Sequence, residues 1–336
     1  MPGPHDSFFK QTFSIKENAA DFAKHVLPSE ISDKIDFSTI HLENTSYVDE
    51  ELAEHFSDMV YLCSYKQSEI CISLLFEHKS SPDRNLPYQL NKYMVRIWES
   101  NVKQKQPFIP VIPIVLYHGK EAWKPVSLKS CFNDLPAELI SFVPEFNYCF
   151  INLSNYSNQE IKGEIFTAAL LKISLLIFKN IFYPEKLEKS LNDFFKIGEK
   201  CFKEEKSLKF LEIVIKYIYL TTEIKISKVV EAIEPITEKG GEIAMTTAEK
   251  LRQEGMQRGM QQGMQQGMQK GMQKGMQKGT RKGTYNTYFN LIQNMKKNNI
   301  SETEIAKLMN LEIRVIKKIA NKEEVEIPLY LLDSDL

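Results

Sequence analysis

The order of strand-like and helix-like segments over residues 1–155 most constrains the fold of this chain. Helical apolar periodicity occurs at residues 8–27, where it ends before a proline, and again at 88–103. Strand-like apolar runs occur at 58–65, 70–76, 109–117 and 147–153. Because strands and helices are interspersed along one stretch of chain, a mixed α/β class is the only one that fits this order.

The pattern changes after residue 155, where long amphipathic runs replace the mixed pattern. These runs, separated by a proline and by polar stretches, predict a helical subdomain. A glycine-rich repeat, a pair of short helices and a tail follow. The predicted regions are 1–155, 156–240, 241–283, 284–320 and 321–336.

Residues 255–282 are a repeat of four-residue units, most of which begin Gly-Met-Gln. Eight of the 14 glycines of the chain lie between Gly255 and Gly283. Each glycine inside a helix costs about 1 kcal/mol relative to alanine. The repeat also carries six cations and no acid. These features favour a basic tether that is flexible or weakly helical.

Residues 284–320 predict two short helices joined by a tight turn. Ser301 and Glu304 have the spacing of a capping box, which starts a helix at residue 302. A turn near 309–311 separates it from a second helix that carries Arg314, Lys317 and Lys318. The pattern fits a helix-turn-helix in which these three cations contact DNA. It fits equally well a helical hairpin that joins two copies of the chain in a homo-oligomer.

Composition and known motifs exclude several classes of protein. The chain has 43 basic and 44 acidic residues, so only local patches could bind nucleic acid. The five cysteines have no CxxC spacing, and no nucleotide-binding or hydrolase glycine motif is present. The N-terminus lacks the pattern of a signal peptide, and the longest apolar run, 165–183, contains two lysines. We therefore expect a soluble, cytoplasmic protein that does not enter a membrane.

Two acids and a lysine are candidates for chemistry at the end of the apolar run 72–76. Glu77 and Lys79 lie two residues apart in a strand and so share one face. A hairpin turn centred on residues 67 and 68 would place Asp58 opposite Glu77, with β-carbons about 5 Å apart. Opposed carboxylates need a compensating cation, which Lys79 or a divalent metal would supply.

Mg²⁺ fits this arrangement because it prefers oxygen ligands and usually binds one or two carboxylates plus waters and a phosphate. Asp58 and Glu77 would hold the metal, and Lys79 would orient a metal-bound water or stabilise negative charge. This set is typical of metal-assisted phosphodiester hydrolysis. The alternative is a purely structural ion cluster of these three residues.

The next helix adds candidate substrate contacts. One of its faces carries Gln89, Lys92, Tyr93 and Arg96, and its opposite face is apolar. Gln89 would lie near the carboxylates as part of the catalytic group. Lys92 and Arg96 would extend a basic stripe that contacts a nucleic-acid backbone, unless they form only a solvated charged face.

Five segments, in this order and at these spacings, resemble the YhgA-like family of recombination-promoting nucleases and putative transposases. They are His5-Asp6-Ser7-Phe8-Phe9-Lys10, Phe56-Ser57-Asp58-Met59-Val60-Tyr61, Leu75-Phe76-Glu77-His78-Lys79-Ser80-Ser81-Pro82-Asp83, Tyr93-Met94 and Ile112-Pro113-Ile114-Val115-Leu116-Tyr117-His118-Gly119. The resemblance covers about residues 4–240. It implies a restriction-endonuclease-like mixed sheet core flanked by helices, with a PD-(D/E)xK site. It also implies Mg²⁺-dependent DNA cleavage linked to recombination and mobile DNA.

The resemblance assigns roles to individual residues. Asp58 matches the metal-binding aspartate of the motif, Glu77 its second acid and Lys79 its lysine. Asp6 matches the acid of an N-terminal His-Asp pair and is a candidate further metal ligand. Many relatives have glutamine in place of Lys79 and arginine in place of Gln89.

Two functions from different classes remain. The first is a DNA endonuclease that uses Mg²⁺ or another divalent cation. The second is a non-catalytic DNA-binding or bridging protein in which the acidic cluster is structural. A transposase with three dispersed acids is disfavoured because the chain has a Glu-x-Lys pair instead.

Overall fold

The computed structural model describes residues 3–43, 59–66, 70–163 and 165–323. The chain forms two compact units, residues 1–251 and 252–336. Unit 1 contains the sheet and the helices packed on it, and unit 2 is helical. No helix in the described part of the chain is long and apolar enough to cross a membrane.

Five strands form one mixed sheet in the order β1-β2-β3-β4-β5. Their bounds are β1 Ile35–Leu42, β2 Met59–Tyr65, β3 Ile70–Lys79, β4 Val111–Tyr117 and β5 Cys149–Asn152. The pairs β1–β2 and β2–β3 are antiparallel, whereas β3–β4 and β4–β5 are parallel. The carboxyl ends of the three parallel strands therefore meet at one edge, which is where open α/β sheets bind their ligands. The expected mixed α/β fold is confirmed.

The register of the β2–β3 hairpin is the one that the sequence predicts. Met59 pairs with Phe76, and the ladder continues without a break to Tyr65 and Ile70. The last pair, Tyr65 and Ile70, is symmetric about residues 67 and 68, on which the predicted turn is centred. Asp58 precedes Met59 in the chain but lies outside the described residues, so its position opposite Glu77 stays a prediction.

Helices cover both faces of the sheet. The helices of unit 1 are α1 Pro4–Phe13, α2 Lys16–Val26, α3 Ser29–Ser32, α4 Leu86–Lys103, α5 Asn158–Gly163, α6 Ala169–Asn180, α7 Pro184–Lys196, α8 Glu205–Thr221 and α9 Ile226–Ile233. The side chains of Leu74 and Phe76 face the main core, which is shared with α1, α2 and the unit 1 helices that follow residue 157. Leu75 faces the other way, into a smaller core with α4.

The sheet and the helical residues 158–244 of unit 1 share this main core. The predicted division at residue 155 therefore does not separate two hydrophobic cores. Two long helical patterns are also broken. Residues 8–27 form α1 and α2, separated at Ser14 and Ile15, and the first run after residue 160 forms α5 and α6.

A single helix, α10 Gly240–Lys297, contains the whole glycine repeat. The glycine content predicts a weakly helical tether at most. Between Gly255 and Gly279, however, all the residues that are not glycine are Met, Gln, Lys or Arg, which are good helix formers. The non-repeat turns before Gly255 also supply the costly first turns, so that the repeat only propagates the helix.

The end of unit 2 matches the predicted pair of short helices. α11 Glu302–Leu308 begins with the capping box of Ser301 and Glu304, and α12 Ile313–Ala320 follows a tight turn. A small core that includes Ile292, Ile305, Leu311 and Ile316 joins them to the end of α10. The choice between a DNA-binding motif and an oligomerising hairpin stays a prediction.

Candidate active site

The candidate site lies at the carboxyl end of β3. The apolar residues before Glu77 fix β3 in the centre of the sheet. Glu77, at the end of this strand, is therefore buried and only 2% exposed. Glu77 pairs with Val115 and Lys79 with Tyr117 on β4, and the two side chains emerge on the face that carries α4. The predicted sharing of one face is confirmed by the 3.4 Å separation of Lys79 Nζ from Glu77 Oε1.

Lys79 has three oxygen acceptors around its ammonium group. Its Nζ lies 2.7 Å from Gln89 Oε1, 2.9 Å from Asp83 Oδ2 and 3.4 Å from Glu77 Oε1. The amide nitrogen of Gln89 in turn donates to Glu77 Oε1 at 3.0 Å and to the Tyr93 hydroxyl at 2.5 Å. The first turns of α4 therefore place the neutral amide of Gln89 between Glu77 and Lys79 of β3.

The second oxygen of Glu77 is the chemically open position. Glu77 Oε2 is buried and has no hydrogen-bond partner among the described residues. A buried carboxylate oxygen without a donor is costly, so it has a strong tendency to bind a cation or a water. Mg²⁺ fits such a donor because it needs only one or two carboxylates and completes its shell with water and phosphate.

Within the described residues, no group of three or more His, Cys, Asp or Glu side chains is arranged to hold a metal. Asp58, the predicted partner of Glu77, lies outside these residues. The donor set therefore fits a metal held by few protein ligands and does not fit a cage made only of side chains.

Lys79 is charged in this environment. Burial alone would lower the pKa of Lys79, but Glu77 and Asp83 outweigh it and raise the pKa above its usual value. Burial would raise the pKa of Asp83, but the hydrogen bonds from Lys79 and from the Asn85 N–H lower it. The arrangement thus favours an ammonium ion that stabilises negative charge over a neutral amine that accepts a proton.

Asp6 lies on the other side of β3. Its Oδ1 atom is 3.3 Å from Nδ1 of His78, whose side chain points opposite to those of Glu77 and Lys79. His5 Nδ1 is 2.7 Å from the Tyr217 hydroxyl, and the rings of His78 and His118 stack with centroids 4.7 Å apart. The role of Asp6 as a metal ligand stays a prediction.

His118 is a buried ring in this group of histidines. Its ring also stacks on Phe182 with centroids 5.2 Å apart. Burial, then His78 and His5, lower the pKa of His118 well below the usual value. The ring is therefore neutral at pH 7.

The polar face predicted for α4 is formed only in part, because one of its four predicted residues is buried. Tyr93 was expected on the polar face with Lys92 and Arg96, but its ring is buried in the smaller core and only its hydroxyl meets Gln89. That correction follows from the amphipathic character of tyrosine. Arg96 is paired with Glu99 at 2.8 Å. It lies about two turns beyond Gln89, and its predicted DNA contact is untested.

The other predicted DNA contacts, Arg314, Lys317 and Lys318, are exposed on α12 in unit 2. Asp83 is a site residue that the sequence reasoning missed. The available signal was an acid four residues after Lys79, in the short Ser-Ser-Pro-Asp link between strand and helix.

Comparison with known proteins gives a consistent result. The family model described as "Putative transposase, YhgA-like" matches residues 3–209. The "Recombination-promoting nuclease RpnC" of Escherichia coli (strain K12) is 30% identical over 133 residues, which is 39% of this chain and 44% of RpnC, less than half of its length. The "Recombination-promoting nuclease RpnA" of the same organism is 27% identical over 258 residues, 76% of this chain and 85% of RpnA.

A third relative carries a different name. The "Inactive recombination-promoting nuclease-like protein RpnE" of Escherichia coli (strain K12) is 25% identical over 275 residues, 76% of this chain and 83% of RpnE. No solved structure matches the chain significantly.

Proposed function

Because the chain belongs to the YhgA-like family of putative transposases, we propose that it is a DNA endonuclease that uses Mg²⁺, or another divalent cation, and acts in recombination. The observation that carries the proposal is the buried, unpaired Oε2 of Glu77 beside the charged Lys79, at the ligand-binding edge of the sheet. Relatives named recombination-promoting nucleases support the same activity.

The residues of the candidate site would have separate roles in hydrolysis. Glu77 holds the metal, together with Asp58 if the β2–β3 register extends by one residue. A bound Mg²⁺ would supply positive charge at the phosphate and lower the pKa of a water molecule that hydrolyses one P–O bond, leaving a phosphate end and a hydroxyl end. Lys79 stabilises the extra negative charge of the phosphate, and Gln89 fixes the orientation of the Glu77 carboxylate through its 3.0 Å hydrogen bond.

The substrate is held by cations outside this cluster. Lys92 and Arg96 on α4, and Arg314, Lys317 and Lys318 on α12, would contact DNA phosphates. Contacts of this kind give affinity that falls steeply with salt and carry no sequence information themselves. Association of two copies through the terminal helices is a separate prediction.

The test is the nicking of supercoiled plasmid by the full chain with Mg²⁺ or with EDTA. Glu77→Gln and Asp58→Asn should each lose nicking by about 100-fold or more, since several kcal/mol of stabilisation are removed. Glu205→Gln is the matched control, because Glu205 is also paired with a lysine, at 2.8 Å, but on the exposed surface of α8. Nicking that persists in Glu77→Gln would disprove the assigned site.

The second candidate function is a non-catalytic DNA-binding or bridging protein. It is favoured by one observation, the name of RpnE, which describes that relative as inactive. If the wild type and Glu77→Gln both bind plasmid and leave it intact with Mg²⁺ and with Mn²⁺, this function replaces the first. Removing residues 255–336 should then abolish bridging, whereas a nuclease core should still cut.

A further inference from the structure

Asp83 has no part in the proposed chemistry, although its carboxylate contacts Lys79. Asp83 lies in the short link between β3 and α4. Its Oδ1 atom accepts a hydrogen bond from the Asn85 N–H at 2.8 Å, and its carbonyl accepts one from the Leu86 N–H at 3.3 Å. The local backbone therefore fixes the carboxylate in one orientation.

The other oxygen of this carboxylate, Oδ2, accepts from Lys79 Nζ at 2.9 Å. That distance is typical of a charge-assisted hydrogen bond, about 2.7–2.9 Å. The separation of Lys79 from Glu77 is longer, at 3.4 Å. Among the described residues, the closest anionic partner of Lys79 is thus Asp83, although Glu77 lies on the same strand and the same face.

The consequence concerns Glu77. Its Oε2 atom has no hydrogen-bond partner among the described residues, whereas Oε1 accepts from Gln89 at 3.0 Å and forms a longer ion pair with Lys79 at 3.4 Å. If Lys79 moved about half an ångström closer, its existing ion pair with Glu77 would shorten to the distance of a charge-assisted hydrogen bond. A cation that needs the Glu77 carboxylate would then compete with the ammonium group of Lys79.

We propose that Asp83 is a positioning residue that draws the Lys79 ammonium toward itself, so that the contact of Lys79 with Glu77 stays long, at 3.4 Å, and Oε2 of Glu77 can bind a divalent cation. The inference rests on the proposed function, since it concerns the same metal site. It adds Asp83 to the site: by binding Lys79, Asp83 limits the pairing of Lys79 with Glu77.

A purely structural role for Asp83 makes a different prediction. The link between β3 and α4 needs only a side-chain oxygen that accepts from the Asn85 N–H, and asparagine supplies that oxygen as well as aspartate does. Asp83→Asn therefore keeps the turn and removes the charge. Asp83→Glu keeps the charge on a longer side chain and should restore part of the function.

The experiment is a titration of the full-length protein with Mg²⁺, and separately with Mn²⁺, followed by thermal unfolding without DNA. Asp83→Asn should raise the cation concentration for half-maximal stabilisation at least about threefold, as expected for contacting charged groups. The added change Lys79→Met should bring this concentration back to that of Lys79→Met alone, because the competing ammonium is gone.

The matched control is Asp193→Asn. Asp193 Oδ2 accepts from Lys162 Nζ at 2.9 Å, the same distance, in an exposed pair. The Asp193→Asn variant should need the same cation concentration for half-maximal stabilisation as the wild type. Plasmid nicking then gives a second reading: Asp83→Asn should lower the apparent affinity for Mg²⁺ more than the rate at saturating Mg²⁺, and Asp83→Glu should recover part of that loss.

Each outcome separates this inference from the proposed function. If the wild type binds Mg²⁺ and Asp83→Asn binds it equally well, the positioning role is wrong and the nuclease proposal stands. If Asp83→Asn weakens binding but Lys79→Met does not rescue it, Asp83 is only structural. If neither cation stabilises the wild type, both the metal site and the positioning role are wrong.

Discussion

Glu77 and Lys79 lie on one face of β3, with Lys79 Nζ 3.4 Å from Oε1 of Glu77, and the second carboxylate oxygen has no partner in the described part of the chain. An acid buried to this extent is ordinarily paired completely. Incomplete pairing of this kind is expected at the proposed metal site before its metal is bound, since stability is commonly given up for function at active sites.

The first prediction follows from this unpaired oxygen. Mg²⁺ should raise the thermal stability of the wild type, because a ligand that binds only the folded state stabilises it, by about 2.7 kcal/mol at one hundred times its dissociation constant. Glu77→Gln should abolish this increase, since an amide oxygen carries no net charge. Differential scanning calorimetry with and without Mg²⁺ measures both effects.

The control for this prediction is again Glu205→Gln, which removes an exposed acid next to a lysine. It should show the same Mg²⁺ effect as the wild type. If Glu77→Gln and Glu205→Gln respond to Mg²⁺ in the same way, the cation acts elsewhere on the protein and Glu77 is not its ligand.

The parts of this fold that sequence reasoning predicted correctly are those set by local patterns. The β2–β3 register follows from the apolar pattern and the position of the turn, and the capping box at Ser301 follows from two residues three apart. Strand β1, Ile35–Leu42, was not predicted. Only Ile35 and Ile40 of β1 are buried, so its alternation is weak, and its register shifts between Asp36 and His41.

The parts of the candidate site that were missed depend on tertiary structure. The pattern of α4 does not reveal that Tyr93 buries its ring and turns its hydroxyl toward Gln89, because that choice depends on the packing of α4 against the sheet. Asp83 was missed for a similar reason. Whether Lys79 bonds to Asp83 or to Glu77 depends on the path of the link between β3 and α4, which no periodicity describes.

The second prediction concerns pH and His118. Its pKa is lowered in the folded protein, by burial first and then by His78 and His5, so the unfolded state binds the proton more readily. The free energy of unfolding therefore decreases as pH falls below the ordinary histidine pKa of about 6.5. Between pH 7.5 and 5.5, this one group costs up to about 1.4 kcal/mol.

Replacing His118 by phenylalanine should flatten this pH dependence, since the ring packing is kept and the titrating group is removed. Thermal unfolding of both proteins at several pH values gives the comparison. His41→Phe, at an exposed position on β1, is the control and should keep the wild-type dependence. Equal slopes for the wild type and His118→Phe would contradict the prediction.

The third prediction concerns the glycines of the repeat. A β-carbon added at Gly263 or Gly267 would meet nothing within 4 Å, so neither glycine is needed for packing inside the chain. Each change to alanine should stabilise α10 locally by about 1 kcal/mol and slow amide hydrogen exchange of the repeat about fivefold.

Gly198→Ala is the opposite case and serves as the contrast. Its β-carbon would lie 2.5 Å from the ring of Phe202 and 2.9 Å from Ile173, so it should destabilise unit 1. If alanine in the repeat fails to slow exchange, the helix is already held by contacts outside the chain, and the glycines are not its weak points.

The fourth prediction concerns the charge of α10. Residues 255–301 contain eight cations and no acid, and Lys270, Lys274 and Lys278 follow one another at intervals of four residues. Four residues of helix rise about 6 Å, so the three charges form a spaced line that DNA phosphates can neutralise. Each phosphate contact adds about 0.9 to the slope of log affinity against log salt concentration.

Changing Lys270, Lys274 and Lys278 to glutamine should therefore reduce this slope by up to about 3. Helix formation should be kept, because glutamine and lysine have similar helix propensities. The measurement is the binding of a short DNA duplex by the full chain at several salt concentrations. A variant with the same loss of charge at exposed positions of unit 1, Lys24, Lys189 and Lys228, separates the position of the charges from their number. Equal slopes for the two variants would mean that only net charge matters and that α10 has no particular contact with DNA.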